Sequence, residues 1–397
     1  MNQIIKKQLW TRHFILLIFI TLMMGISTSM LSSPLPMYAE HIGASNSIIG
    51  LVTGFFALSA LLCRPIFGNM LDSKGRKAVL IMGITAYCGI VLLYGWASTV
   101  AILLVLRFLH GIGFSAYSTG SGTVAADLIP AERLVEGLGY FGVFQTAAMA
   151  IGPILGLSLV ANLSYRSLFY VSFALGIAGL CLTFFLNYEQ KADKQQLLPQ
   201  NQKVVKQKGV ILEKTAIPTA SVIFFVTLTT GAVLTFLPAY ALSRGIKSIG
   251  AYFTINAVVV LLTRTFIGKA TNRYGVSKVI FSGMLLTAAS MILLAFSTSI
   301  YSFVISGALN GLGAGIIFPI MNSLLIRFCP QDRKGAANAT YYSAFDIGIG
   351  AGSVVGGIIS QVAGYTVLYM LSAFCIVLSF MVYFFTVRSR LKVLDVL

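Results

Sequence analysis

Long apolar runs alternate with short polar interruptions along the whole chain of 397 residues. Each run has roughly the 20 apolar residues that an α-helix needs to cross a hydrocarbon core about 30 Å thick. Strands of a membrane β-barrel are shorter and alternate in polarity, so this pattern excludes a barrel. The runs predict twelve membrane-spanning helices, at about 13–38, 47–70, 78–97, 100–126, 136–161, 167–187, 216–242, 248–271, 278–297, 300–326, 336–361 and 366–386.

Composition and charge agree with a polytopic helical membrane protein. Hydrophobic residues make up 57% of the chain, and a soluble chain of this length needs more polar surface. The net charge of +17 comes mainly from lysines and arginines that fall on one side of the predicted spans, whereas the opposite side holds Arg166, Arg244 and Lys247. This asymmetry predicts that both termini are cytoplasmic. The basic balance therefore indicates membrane topology, not nucleic-acid binding.

Several classes of active site lack their sequence patterns. The five cysteines have no paired spacing, so neither a disulfide framework nor a metal site is indicated. The chain contains no phosphate-binding G-x-x-x-x-G-K-[ST] motif, no H-E-x-x-H motif and no paired intramembrane carboxylates. These observations predict neither an ATP-driven pump nor a membrane enzyme, and they predict no cofactor or metal.

The second half of the sequence repeats the first at an offset of 200 residues. The segment 36-PMY-38 also recurs, as 238-PAY-240. The repeat predicts two six-helix bundles of the same orientation, 1–187 and 216–397, joined by a cytoplasmic linker at 188–215 that is rich in lysine and glutamine. The matched pairs are Arg64/Arg264, Gly68/Gly268, Asp72/Asn272, Gly75/Gly275, Gly111/Gly311, Gly113/Gly313, Pro130/Pro330, Arg133/Arg333, Gly152/Gly352 and Gly156/Gly356.

Charge is concentrated in 68-GNMLDSKGRKA-78, between the second and third predicted spans. Because charges are costly in hydrocarbon, the segment is predicted to be a tight cytoplasmic turn. Gly75 would permit the turn, and Gly68 would let neighbouring helices approach closely. With the doubled six-helix plan, the pattern Gly68-x-x-x-Asp72-x-x-Gly75-Arg76-Lys77 resembles the signature of the major facilitator superfamily.

The resemblance implies parallel halves related by an axis along the membrane normal, with a substrate site near the midplane between them. It also implies that Asp72 and its neighbours contact the eleventh predicted span, at about 336–361. This contact would be a latch that holds the cytoplasmic gate closed while the protein is open to the outside. The alternative is that these residues only orient the loop. The second copy carries Asn272 and Val276 in place of the acid and the arginine, so a latch there should be weaker.

The fifth predicted span contains 139-GYFGVFQTAAMAIGPILG-156, with Gly142, Gly152, Pro153 and Gly156. This segment resembles the Gly-Pro motif of the drug:proton antiporter subgroup, which implies export rather than import. Bacterial sugar-efflux-like permeases are similar as well, through Arg64-Pro65 of the second span. The alternative is ordinary glycine-mediated helix packing.

Charged residues inside spans are rare and often functional. Arg107, in 107-RFLHGIG-113, matches a fourth-helix motif that the family resemblance links to proton coupling. At about 100° per residue, it shares one helix face with His110, Phe114, Ser118 and Ser121. The alternatives are that Arg107 bonds backbone carbonyls and that His110 is a packing residue.

Asp346 is the one carboxylate deep inside a predicted span. We predict that it carries the coupled proton and that Arg64 is its partner, the alternative being a static bridge between helices. The predicted substrate cavity comprises His110, Phe114, Ser118, Phe144, Gln145, Asn310, Tyr341 and Arg264.

The sequence predicts a monomeric secondary transporter in a bacterial cytoplasmic membrane, whose partners are a small-molecule substrate, a proton and the lipid bilayer. Proton-coupled export of a small organic or drug-like solute is the favoured function. The alternatives are a proton-coupled importer of a small metabolite or sugar and a membrane sensor without transport.

Overall fold

The computed structural model describes residues 8–130, 133–187, 213–246, 249–330 and 334–394, with residues 72, 134–136, 334–336, 339 and 392–394 described by their backbone alone. Every regular element in these ranges is helical, which confirms the predicted all-α class. The α-helices are α1 Arg12–Ser32, α2 Pro34–His41, α3 Asn46–Lys74, α4 Arg76–Leu93, α5 Val100–Leu128, α6 Leu134–Asn162, α7 Tyr165–Phe184, α8 Ile217–Ser243, α9 Gly250–Tyr274, α10 Val276–Ala295, α11 Ile300–Phe328, α12 Lys334–Val382 and α13 Arg388–Leu394.

Short non-α turns extend several of these helices. Tyr94–Trp96 and Lys214–Ala216 are 3-10 turns, and Tyr383–Val387 is a π-helical turn between α12 and α13. Of the predicted linker 188–215, all but residues 213–215 lies outside the described residues.

Eleven segments of the described chain are long and apolar enough to cross a membrane. The first, Arg12–His41, joins α1 and α2. The last, Thr340–Leu391, has 52 residues, about twice the length of one crossing. Gly364, with φ 80° and ψ 174°, divides α12 into two helices within it. This break is what a twelfth span requires.

Contacts along the chain define two compact units. The first unit comprises Met1–Leu31 and Leu58–Val205, and the second comprises Ser32–Ala57 and Lys206–Leu397. Residues 32–57 therefore belong to the first half of the sequence but pack with the second half. The predicted domains, 1–187 and 216–397, were drawn from the sequence repeat, whereas the two units are defined by spatial contacts. The predicted domain limits therefore stay a prediction.

The repeat is visible in the backbone of the two units. Gly75 begins α4 with φ 87° and ψ 153°, and Gly275 begins α10 with φ 83° and ψ 148°. This region of backbone conformation is open to glycine and strained for other residues. The same turn is thus built twice.

Helix packing repeats in the same way. A Cβ atom at Gly83 of α4 would lie 2.7 Å from Ala116, and one at Gly113 of α5 would lie 2.8 Å from the backbone of α4. Gly283 and Gly313 are equally crowded between α10 and α11. Small residues at such contacts let membrane helices approach closely.

Apolar side chains fill the space between the helices of each unit. In the second unit the core joins α8, α10, α11 and α12, with Ile223, Ile280 and Leu325 among its members. In the first unit a smaller cluster around Phe67 and Val79 joins α3, α4 and α5.

Candidate functional site

The turn between α3 and α4 carries the predicted latch. α3 ends at Lys74, Gly75 makes the turn, and α4 follows at once. A Cβ atom at Gly68 would have no neighbour within 4 Å among the described residues, and the role of this glycine in close helix packing stays a prediction. The side chain of Asp72 lies outside the described part, and its latch contact stays a prediction.

The basic residues of the turn bind the ends of neighbouring helices in the first unit. Arg76 donates from Nε to Asp127 Oδ2 at 3.1 Å, near the end of α5. Lys77 donates from Nζ to the carbonyl of Phe184 at 2.8 Å and to the side-chain oxygen of Asn187. The turn is therefore fastened to α5 and to the end of α7. The ion pair is partly exposed, so its contribution is at most about 1 kcal/mol.

The second copy of the turn has different chemistry. Val276 cannot form an ion pair, and Arg327 stands where the first copy has Asp127. Ser277, at the position of Lys77, accepts a hydrogen bond from the Tyr383 hydroxyl at 2.9 Å. Here a neutral hydrogen bond to the π-helical turn takes the place of the charged contacts.

Arg107 and His110 of α5 are enclosed inside the first unit, with exposed fractions of 4% and 0%. Arg107 hydrogen-bonds the Tyr94 hydroxyl. The same hydroxyl shares a hydrogen bond with His110 Nδ1 at 2.9 Å. The His110 ring also lies 4.4 Å from the Tyr87 ring, between centroids. These surroundings are those of a packing residue, which is the alternative given for His110 above. Its predicted place in the wall of the substrate cavity stays a prediction.

A second polar network adjoins these tyrosines. The Tyr87 hydroxyl lies 2.9 Å from Ser27 Oγ, and Ser27 Oγ lies 2.8 Å from Ser172 Oγ. Thr28 donates to the Tyr87 hydroxyl at 3.2 Å. The network ties α1, α4 and α7 together. The sequence signal for it was weak, because single serines and tyrosines in apolar helices reveal no partner.

The remaining residues of the predicted α5 face make local contacts. Phe114 packs with its ring centroid 6.3 Å from that of Tyr117. Ser118 donates to the Ser115 carbonyl at 3.4 Å, and Ser121 donates to the Ser118 carbonyl at 3.1 Å. Phe114 and Ser118 are partly buried, and their predicted contact with substrate is not tested by these bonds.

The glycines of the antiporter-type motif in α6 have two different environments. At Gly152 a Cβ atom would lie 2.7 Å from the Met30 nitrogen of α1, and Gly156 is also crowded by the Met30 backbone. A Cβ atom at Gly142 would have no neighbour within 4 Å in the part of the chain that the structure describes. Pro153 lies inside α6 beside this close contact. Gly152 and Gly156 therefore pack α6 on α1.

The same close contact occurs in the second unit, where Gly352 of α12 is crowded by the backbone of Leu228 in α8. Glycine packing is thus a property of the repeat. The second half has Ser353 where the first has Pro153, so the proline alone distinguishes the motif at this contact.

A cationic and aromatic cluster lies inside the second unit. Arg264 of α9 is within electrostatic reach of Tyr341 and Tyr342 of α12. The Tyr341 and Tyr342 rings are 5.5 Å apart, and Phe345 lies 5.7 Å from Phe318 of α11. A cation near aromatic side chains is typical of a site for amphipathic solutes. The predicted residues Arg264 and Tyr341 thus lie in the same region of the second unit.

The other predicted cavity residues are in separate places. Asn310 of α11 donates to the Tyr252 hydroxyl at 3.1 Å in the second unit. Phe144 and Gln145 of α6 are partly buried in the first unit.

Asp346 is partly buried on α12 in the second unit, and Arg64 is partly buried on α3 in the first. One turn after Asp346, Gly350 contacts α3 because a Cβ atom there would lie 2.8 Å from the Ala57 Cβ. The pairing of Asp346 with Arg64 stays a prediction.

Residues 46–57 of α3 pack closely on α8 and α12. The family resemblance implies that α3 adjoins the first part of α12, whereas the contact with α8 was not predicted. Thr53 Oγ1 lies 3.2 Å from Thr235 Oγ1, which lies 2.9 Å from Ser353 Oγ. Gly50 is crowded by the Ser353 backbone, and Gly54 by Val354. The spacing Gly50-x-x-x-Gly54 was the available signal, since small residues four apart often mark a helix contact.

Comparisons with known proteins agree with this architecture. The chain matches the model of the Major Facilitator Superfamily over residues 17–252 and 219–395. The staphylopine export protein of Staphylococcus aureus is 25% identical over 377 residues, covering 92% of this chain and 93% of that protein. The multidrug resistance protein MdtG of Salmonella arizonae is 24% identical over 377 residues, covering 92% of each.

Two solved structures have a similar fold. The human organic anion transporter MFSD10 gives a TM-score of 0.67 at 18% identity, covering 94% of this chain and 100% of that one. The nucleoside transporter NupG gives a TM-score of 0.70 at 15% identity, covering 94% and 98%. The family match, the helical repeat and the membrane-length helices lead to one conclusion: the chain belongs to the Major Facilitator Superfamily of membrane transporters.

Proposed function

We propose that this transporter is a proton-coupled exporter, an antiporter that moves a small organic solute by alternating access. The observation that carries the proposal is the position of Asp346. This carboxylate lies in a membrane-spanning part of α12, one turn before Gly350, and Gly350 packs on Ala57 of α3. A change of charge at Asp346 would therefore act beside the contact between residues 46–57 and the second half.

Proton exchange gives that change of charge a role. A carboxylate inside a span is costly when charged and unpaired. Arg64 lies seven residues beyond Ala57 on α3, about two turns along the same face. We assign Arg64 as the partner of ionised Asp346 in one state and protonation of Asp346 to the other. The two states then differ in how the helices pack, as alternating access requires.

The polar group around Arg107 is the second candidate for coupling. Arg107 and His110 both bond Tyr94 inside the first unit. A proton could reach His110, but this side chain is fully buried between the Tyr87 and Tyr94 rings. Asp346 therefore remains the first assignment.

The direction of transport rests on the relatives and not on the fold. The proteins most similar along nearly the whole chain include one named for staphylopine export and one named for multidrug resistance. The similarity to a nucleoside transporter is a similarity of fold, so import stays as the alternative. We assign the solute to the cluster of Arg264, Tyr341 and Tyr342, because it joins charge to aromatic surface.

Transport into inverted membrane vesicles tests direction and coupling together. Three radiolabelled probes, a hydrophobic cation, a sugar and an anionic metabolite, should be compared with and without an imposed proton gradient. We expect at least one probe to accumulate in inverted vesicles and to leak out when a protonophore is added. Accumulation only in right-side-out vesicles with acid outside would establish import instead.

Topology is part of the proposal, since export is defined relative to the cytoplasm. We assign both termini and residues 188–215 to the cytoplasmic side. In a variant without its native cysteines, Gln200→Cys should react with a membrane-impermeant maleimide in inverted vesicles and stay unlabelled in intact cells. Labelling in intact cells would show that the chain has the opposite orientation.

A further inference from the structure

A small cavity lies in the first unit between the end of α4 and the start of α7. Its volume is about 130 Å³, enough for a phosphate with a short polar substituent. It belongs neither to the Arg107 group nor to the residues assigned to the solute. Its lining residues are Leu92, Gly95, Trp96, Arg166, Phe169 and Tyr170.

The cavity has a buried floor and exposed aromatic rings at its opening. Phe169 is 2% exposed and forms the floor, whereas Trp96 and Tyr170 are 66% and 58% exposed. Tyr170 follows Arg166 by one turn of α7, so the two side chains lie on one face. Tryptophan and tyrosine with this exposure are typical of the level where lipid headgroups meet hydrocarbon.

Arg166 brings an uncompensated positive charge to this level. Its guanidinium has no hydrogen bond or ion pair to any residue that the structure describes, and none of the other lining residues is acidic. Arg244, another basic residue assigned to this side of the membrane, differs because its guanidinium lies 5.4 Å from the centre of the Tyr240 ring. The charge of Arg166 is therefore available to a ligand.

The repeat supplies an internal comparison. The positions equivalent to the cavity in the second half keep apolar side chains but have no cation, since a threonine stands where the first half has Arg166. If charge selects the ligand, the chain should hold one such ligand and not two. The equivalent residues are Ile292, Ala295, Phe296, Thr366, Tyr369 and Met370.

We propose that this cavity binds the phosphate headgroup of one anionic phospholipid, with Arg166 as the cation and Trp96 and Tyr170 as the flanking rings. A guanidinium can bind two phosphate oxygens at once. The exposed apolar surface of α4 and α7 beside the cavity is available to the acyl chains. A zwitterionic lipid fits less well, because its ammonium group would be repelled by Arg166.

Native mass spectrometry of the full chain in detergent tests this assignment. Purified protein is incubated with equal amounts of phosphatidylglycerol and phosphatidylcholine of the same acyl chains. We expect one retained phosphatidylglycerol per chain, and Arg166→Gln should lower its retention about fivefold, the effect of one basic residue near a lipid surface. Arg244→Gln is the matched control and should retain the lipid like the unaltered chain.

A second variant tests the cavity without changing its charge. A Cβ atom at Gly95 would meet nothing within 4 Å, so Gly95→Leu should fold, fill the cavity and release the lipid. Thermal unfolding in phosphatidylcholine alone checks that both variants are folded. Equal retention of the two lipids, or full retention by Arg166→Gln, would overturn the proposal. Displacement of the lipid by millimolar inorganic phosphate would identify a site for free phosphate instead.

Discussion

The two turns at 68–78 and 268–278 have the same backbone and different chemistry. Gly75 and Gly275 start their helices with nearly equal φ and ψ values. In the first turn Arg76 pairs with Asp127, whereas in the second Val276 has no charge to pair. Ser277 receives a hydrogen bond from Tyr383 instead.

This difference distinguishes two kinds of residue: those that both halves need for the fold, and those that can differ between the halves. The glycines that set backbone angles and helix contacts recur in both halves. The charges recur less: Asp72 becomes Asn272, Arg76 becomes Val276, and Asp127 becomes Arg327. We infer that substitutions at the shared glycines affect both halves alike, and that substitutions at the charges affect mainly the first.

The largest effect is expected at the glycine contacts between helices. Gly152→Ala and Gly352→Ala each place a methyl group against the backbone of a neighbouring helix. Each should lower the free energy of unfolding by about 3 kcal/mol, the upper part of the range for overpacking. Unfolding in mixed micelles measures the loss. The matched control is Gly142→Ala, which should be neutral or slightly stabilising because its position is open and alanine favours the helix.

The next effect is expected at the turn glycines. Gly75→Ala and Gly275→Ala force a side chain into a strained backbone region, at a cost of roughly 1–3 kcal/mol. The two losses should agree with each other in the same unfolding assay. A large loss at one position and none at the other would show that the two turns are not structurally equivalent.

A third effect is expected at the positions of the turns where charge differs, because substitutions there should affect transport in the first half more than in the second. Asp72→Asn should slow transport at least about tenfold, the factor that corresponds to about 1.4 kcal/mol, and leave the protein folded. Asn272→Ala should change the rate less than about twofold, as for most substitutions away from key contacts. Initial transport rates in vesicles with equal protein content decide this. Equal losses in the two variants would remove the proposed asymmetry of the latch.

The smallest effect is expected from the ion pair of the first turn. Arg76→Gln and Asp127→Asn should each reduce stability by at most about 1 kcal/mol, because the pair is partly exposed. The double variant should lose little more than either single variant, since both remove the same contact. Fully additive losses would mean that the pair does not act as a unit.

The helices and the repeat could be predicted because they depend on local patterns. Apolar runs set the spans, and Gly75 and Gly275 are required by the backbone wherever the turn occurs. Even the shift from 200 to 202 residues in the PMY and PAY match has a counterpart, since Gly43 and Gly245 both have positive φ, at 90° and 80°.

Contacts between distant helices could not be predicted in the same way. His110 was expected in a cavity, yet its partner is Tyr94, sixteen residues away on another element. The packing of residues 46–57 with the second unit depends on how whole helices tilt and pair. Gly68 was expected to allow close packing because glycine is small, yet a Cβ atom there would meet no described residue within 4 Å.

The central claim is that a proton at Asp346 drives export, and one comparison tests it most directly. Proton-gradient-driven accumulation of a transported probe is measured in inverted vesicles for the unaltered chain and for Asp346→Asn, together with binding of the same probe to the purified proteins. We expect that Asp346→Asn still binds the probe but no longer accumulates it against a gradient. Full gradient-driven accumulation by Asp346→Asn would contradict the account and pass the coupling role to the group around Arg107.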